Sequence, residues 1–253
     1  MSDDELNAIL GHLSGDGALD TATSRAILER VGANDLPETL QVGLPHRVVA
    51  FGRHDALSSA FDEAVTAAIS RGFDTTVRIA GGRAVVFHPG TVRFAWTLRT
   101  AEPAKTMHRR FQTLAEAVVR SLRAVGVESE IGELPGEYCA GQYSVHLAGG
   151  GKVMGVGQRL SRNAAQVGGM IVVNDSRSIN EVLVPVYDLL EIPIEPRATG
   201  SVPDVAEVDP ETIATRFTEA IASGRRLVRA NLDEATTSRA LELRADHIPA
   251  LLA

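Results

Sequence analysis

Small and apolar residues recur at helical spacing from Asp20 to Val31 (Ala22, Ala26, Ile27, Val31). Asp20 is placed to cap that helix and Gly32 to stop it. Val48-Val49-Ala50-Phe51 is a short apolar run closed by Gly52, the pattern of a buried strand. Helical periodicity returns from Ser58 to Ser70, with Ala60, Phe61, Val65 and Ala68 on the inner side and Gly72 beyond the end. Thr75 to Ile79 and Ala84 to Phe87 read as strands on either side of Gly81-Gly82, and Thr91 to Leu98 alternates as a third. A long helix is predicted from Thr106 to Val125, stopped by Gly126, with a short strand from Val127 to Ile131.

Glu133 to Gly141 carries proline and glycines without periodicity and reads as a loop. Tyr143 to Leu147 and Lys152 to Val156 form a predicted hairpin across Gly149-Gly150-Gly151, and Gly169 to Val173 is a further strand. Ile179 to Leu190 is helical in pattern, but Pro185 is expected to break or kink it. This layout predicts an α+β fold, a largely antiparallel central sheet flanked by helices, over residues 1–195. An acidic, proline-containing linker over 196–210 and a helical tail over 211–253 follow.

Composition narrows the field. A chain of 253 residues is long enough for one large domain. A net charge of −7 argues against a nucleic-acid partner, since phosphate binding needs concentrated positive charge. No apolar run approaches the ~18–20 residues of a membrane span. The acidic start Met1-Ser2-Asp3-Asp4-Glu5 lacks the order of a signal peptide, so the expected address is the cytoplasm. The single cysteine, Cys139, rules out an internal disulfide framework and a multi-cysteine zinc site, and no metal site is expected.

Candidate chemistry gathers in two stretches. Lys152-Val153-Met154-Gly155-Val156-Gly157-Gln158 sets a cationic side chain beside glycines that admit close backbone approach. Cys139, thirteen residues before Lys152, adds a nucleophile to the same neighbourhood. Arginines concentrate at Arg78, Arg83, Arg93, Arg99, Arg109 and Arg110. Arg78 and Arg83 flank Gly81-Gly82, whereas the others read as solvated, ion-paired side chains.

Three segments in order, Val48 to Arg53, Arg78-Ile79-Ala80-Gly81-Gly82-Arg83-Ala84-Val85 and the Lys152 strand, resemble the lipoate branch of the biotin/lipoate protein ligase family. The resemblance covers roughly residues 18–190. It implies a catalytic domain like that of class II aminoacyl-tRNA synthetases. It also implies attachment of an octanoyl or lipoyl group to a lysine on the lipoyl domain of a 2-oxoacid dehydrogenase or glycine-cleavage protein. On that reading Gly81, Gly82, Gly155 and Gly157 admit substrate to the backbone, and Arg78, Arg83 and Gln158 orient its polar groups. Lys152 stabilises the oxyanion, and Val85, Phe87 and Val153 line an acyl slot.

His88 is a further candidate contact, although the family histidine falls one residue earlier, where Phe87 stands; a one-residue shift on a strand reverses its face. Val156 and Val167 also depart from the family pattern. Cys139 separates two mechanisms. In cysteine-loop octanoyltransferases such a cysteine takes the acyl group from acyl carrier protein as a thioester, with no cofactor. A lipoate–protein ligase instead uses ATP and Mg2+ to form an acyl-adenylate. A non-catalytic acyl-binding relative is the third alternative.

Overall fold

The computed structural model describes residues 4–202 and 208–250. Its first half runs β1 (Glu5–His12), α1 (Gly17–Ala33), β2 (Thr39–Leu44), β3 (Val48–Phe51), α2 (Phe61–Ile69), β4 (Asp74–Val77), β5 (Val85–Phe87) and β6 (Thr91–Arg99). Then come α3 (Met107–Arg123), β7 (Ser129–Ile131), β8 (Val145–Leu147), β9 (Lys152–Leu160), β10 (Ala164–Val172) and α4 (Ser176–Leu189). The described chain finishes with α5 (Pro210–Ala222), β11 (Arg226–Arg229) and α6 (Glu234–Leu243).

One eight-stranded sheet has the order β11-β1-β2-β6-β10-β9-β8-β7, and a three-stranded sheet has the order β4-β3-β5. In the larger sheet β1 pairs parallel with β2 and β11, and every other neighbour is antiparallel. Helix α3 covers one face because Leu114, Ala117, Val118, Ser121 and Leu122 repeat at helical spacing and are all buried. They pack with Leu40, Phe94 and Val153 of the sheet and Phe217 of α5. A second core joins the small sheet to α2 and α4 through Phe51, Phe61, Val65, Val86, Leu183 and Tyr187. The expected α+β architecture with a largely antiparallel sheet is the one observed. Among the described residues, no helix is long and apolar enough to cross a membrane.

Several expected boundaries move. Helix α1 starts earlier, capped by Asp16, whose side chain accepts from the Leu19 N–H at 2.8 Å. Asp20 is buried instead and accepts from the Ser14 N–H and hydroxyl at 2.9 and 2.8 Å. Gly32 does not stop the helix, which ends at Asn34 in the left-handed region (φ 70°). A Cβ on Gly32 would make only ordinary contacts, 3.6 Å from that of Ala164, so nothing in the structure requires glycine there. Pro185 does not interrupt α4: the Glu181 carbonyl, four residues back, accepts from Arg71 Nε at 3.1 Å and so keeps a partner.

Strands β1 and β2 were not expected; β9 continues past Val156 through Gly157 to Leu160, and β10 begins before Gly169, at Ala164, and runs through Gly168. The tail is helical in α5 and α6 but also contributes β11 to the sheet. It is clasped to α1 by Arg25–Asp246 (2.8 Å), Glu29–Arg239 (2.8 Å) and Asp16–Arg244 (2.6 Å). Of the expected linker, Pro196–Ala198 forms a turn and Gly200 N–H donates to the Lys152 carbonyl at 2.9 Å. Residues 203–207 lie outside the described residues.

Candidate active site

The three motif segments meet at Cys139. Its backbone is left-handed (φ 44°), a conformation that costs a residue with a Cβ about 1 kcal/mol or more. The loop is held there from both sides. Cys139 N–H donates to the Tyr187 hydroxyl at 2.9 Å, and that hydroxyl donates to the Ala84 carbonyl at 2.9 Å. Burial pushes the Tyr187 phenol well above its usual range, which keeps it a donor.

Below the loop, Lys152 is fully buried. Its ammonium donates to Glu137 Oε1 (3.0 Å) and to the carbonyls of Tyr138 (2.8 Å) and Cys139 (3.0 Å), and sits 4.8 Å from the centre of the Tyr138 ring. An ammonium has three N–H donors, so none is left over. The oxyanion role expected for Lys152 needs a donor that this arrangement commits to the loop. Glu137 is equally occupied, accepting from Ser144 Oγ (2.5 Å), Gly141 N–H (3.1 Å) and Leu134 N–H (3.1 Å). Sequence reasoning did not single out this carboxylate or Tyr187; the signal for Glu137 was an acid two residues before the cysteine, inside a loop read as featureless.

Cys139 Sγ accepts from the Arg83 N–H at 3.2 Å and from Arg78 Nη2 at 3.5 Å. Arg78 also donates to the Arg83 carbonyl (2.7 Å), and Arg83 pairs with buried Asp55 (3.2 Å). The glycines permit these contacts. A Cβ on Gly82 (φ 98°) would lie 2.6 Å from Cys139 Sγ, and one on Gly52 only 1.9 Å from the Gly82 carbonyl oxygen. Gly157 passes under the loop, where a Cβ would come 3.1 Å from the Gly81 oxygen, and Gly155 leaves room for the Lys152 stem. Gln158 faces away, bonded to Arg110 Nε and to the Met107 carbonyl of α3, both at 2.8 Å.

An apolar cavity opens beside the thiol. Val85, Phe87, Val156, Ala95, Gly168 and Met170 line it together with Arg78 and Cys139. Val153 belongs to the core on the other side of the sheet. His88 is buried outside this lining, with Nδ1 accepting from the Gly90 N–H at 3.1 Å and Nε2 without a partner among the described residues. Among the described residues, no group of three His, Cys, Asp or Glu side chains is placed to hold a metal. The carboxylates of this region are already committed, Asp55 to Arg83 and to the Gly52 N–H (2.8 Å), Glu137 to Lys152 and the donors named above.

Burial pulls both His88 and His247 below the ordinary histidine range, so the fold favours their neutral forms. That stabilisation is complete above the unfolded value of ~6.5 and is lost as pH falls through it toward the lower folded values. Melting temperature is therefore expected to drop between pH 7 and about 5, and His88→Gln with His247→Gln to flatten that drop. An equal slope in the double variant, read by thermal unfolding, would show that other groups control acid stability.

The fold is the α+β fold seen in lipoate protein ligases, of the class II aminoacyl-tRNA synthetase type. A lipoate-protein ligase A structure bound with ATP superposes with a TM-score of 0.75 at 20% identity, covering 95% of this chain and 94% of that one. A T. acidophilum protein solved with bound lipoic acid gives 0.73 at 20% identity, covering 96% and 95%. Residues 16–219 match the lipoyl protein ligase A/B catalytic domain, and the chain belongs to that family. An octanoyl-[GcvH]:protein N-octanoyltransferase of Bacillus velezensis is 27% identical over 186 residues, 73% of this chain. The match spans 63% of that relative's length, less than two thirds of it.

Proposed function

We propose that this protein is an acyltransferase that moves an octanoyl or lipoyl group onto the acceptor lysine of a lipoyl domain through a thioester on Cys139. The observation that carries the reading is the position of Sγ, against an apolar cavity and facing two N–H donors. The names of the relatives support the octanoyl group and a GcvH-type partner. In those names GcvH carries the octanoyl group before transfer; acyl carrier protein is proposed as a thioester donor of the same group.

In the first half-reaction the sulfur attacks the donor's thioester carbonyl, a carbon–sulfur bond forms to Cys139, and the donor thiol leaves with the proton. In the second, the neutral amine of the acceptor lysine attacks the same carbonyl. An amide forms, the bond to Cys139 breaks, and the released sulfur takes up the proton the amine loses. Arg78 and the Arg83 N–H supply hydrogen bonds to the sulfur whenever it carries negative charge. The cavity holds the acyl chain away from water. Lys152 and Glu137 position the loop.

Incubation with octanoyl-acyl carrier protein and no ATP is expected to add one octanoyl mass to the protein, on the Cys139 peptide. Passage of that mass to an apo lipoyl domain completes the scheme. Lipoyl-domain modification that requires ATP and Mg2+, with no adduct on the protein, would replace this reading with the adenylate-forming ligase.

A further inference from the structure

Two cavities lie on either side of one arginine. The cavity at Cys139 is lined by Gly155 of β9, Gly168 of β10 and Ala95 of β6, and also by Arg93 of β6, two strands across the sheet from β9. Arg93 also lines a second, largely apolar cavity bounded by Leu10, Leu19, Val42, Leu232 and Leu241. The sheet register shows where one gives way to the other. Gly168 stands opposite Ala95, and Ala95 opposite Gln41 of β2, which faces the second cavity.

The partition is built from polar groups. Arg93 Nη2 donates to Ser24 Oγ (2.7 Å) and to the Asp20 carbonyl (3.3 Å). Ser24 Oγ donates onward to Gln41 Oε1 (3.2 Å). Gln166 Nε2 fixes the same turn of α1 by donating to the Ser24 carbonyl and to Thr97 Oγ1, both at 2.8 Å. From β9 to β6 is two strand spacings, about 10 Å, close to the reach of an extended eight-carbon chain.

We infer that Arg93, held by Ser24, is the end wall of the acyl slot and sets the chain length the protein accepts by closing it off from the second cavity. The inference rests on the acyl-transfer reading for its substrate class, but the wall is a property of the cavities themselves. A longer chain would press methylenes against a guanidinium and its hydrogen-bonded partners, displacing contacts it cannot replace. Removing the guanidinium joins the two spaces and offers apolar surface to the added carbons.

The test has two readouts: binding of free octanoic and dodecanoic acids by displacement of a fluorescent fatty acid, and Cys139 thioester formation from the matching acyl N-acetylcysteamine thioesters. Arg93→Ala is expected to raise the dodecanoyl-to-octanoyl ratio at least about tenfold in both, less than the burial of two methylenes supplies. Ser24→Ala, which removes the shorter of the two hydrogen bonds holding Arg93 and leaves the one to the Asp20 carbonyl, shifts the ratio the same way by a smaller factor. Thr23→Leu, which fills the second cavity, cancels the gain in the Arg93→Ala background. A purely structural arginine would weaken both chain lengths by the same factor, and an unchanged ratio in Arg93→Ala and Ser24→Ala overturns the inference. No thioester in the wild-type protein with any donor would sink the transferase reading, while the fatty-acid binding ratios would still decide the wall.

Discussion

Cys139→Ala is expected to lower acyl transfer to the acceptor lysine by about 10^3-fold or more, with no adduct left on the protein. The thiol lines the cavity with two N–H donors turned toward it, and a thiol is a far better acyl-carrying nucleophile than the hydroxyls that share the lining. The fold should scarcely notice its loss. The backbone N–H of residue 139 still reaches Tyr187, and the exposed Arg83 N–H released by the sulfur can bond to water. Cys139→Gly adds a second readout. Glycine tolerates the left-handed backbone at this position, so that variant should melt roughly 2–4 °C above Cys139→Ala while being equally inactive. Such a pair would mean that the native residue is kept at a conformational cost for its sulfur. Transfer at wild-type rate in either variant would remove the thioester from the mechanism.

Lys152→Met is expected to abolish transfer and also to destabilise the protein by about 3–5 kcal/mol. Glu137 has no exposed surface, and without the ammonium its charge is buried with only neutral donors. The carbonyls of residues 138 and 139 lose their shared donor at the same time. Adding Glu137→Gln should recover part of the stability, because the uncompensated charge is gone, yet leave transfer low, because nothing then grips the loop. Thermal unfolding and single-turnover acylation of the four proteins in the cycle separate these effects. A Lys152→Met protein that melts with the wild type would show the ion pair to be unimportant to the fold. Full transfer in the double variant would show that Lys152 does not position Cys139.

The short β-branched strands were legible because their side chains alone fill a buried surface, as in Val48–Phe51 and Val85–Phe87. The glycine segments were legible as motifs, and the geometry shows why the glycines stand there: Gly52 and Gly157 are points where one backbone closes on another, and Gly82 leaves room for the Cys139 sulfur and the Arg78 guanidinium. Strand β2 alternates polar and apolar residues from Thr39 to Leu44, the period of a half-exposed strand, yet Thr39 and Gln41 are buried with the rest; six residues without flanking motif chemistry did not mark it out. Strand β11 reads as Arg-Leu-Val-Arg between two helices, and only its partner in β1 makes it a strand. Arg93 was read with its solvated neighbours, since nothing in a local window shows that Ser24, some seventy residues away, receives its guanidinium. Glu137 lay hidden for the same reason, its partner Lys152 being on another element.

The pairing of β1 with β11 bears on how the molecule is made. Residues 5–8 meet residues 226–229 side by side and parallel, so this edge of the sheet cannot close until nearly all of the described chain has been synthesised. The antiparallel strands β8, β9 and β10, neighbours in sequence, and β6, which joins β10, can all pair on the ribosome well before that. The thiol loop and the slot beside it would then be assembled while β1 still lacks its outer neighbour. Nascent chains stalled before residue 226 should thus expose an unpaired strand edge on a sheet whose thiol loop and cavity are already in place, a species that needs shielding from its own kind.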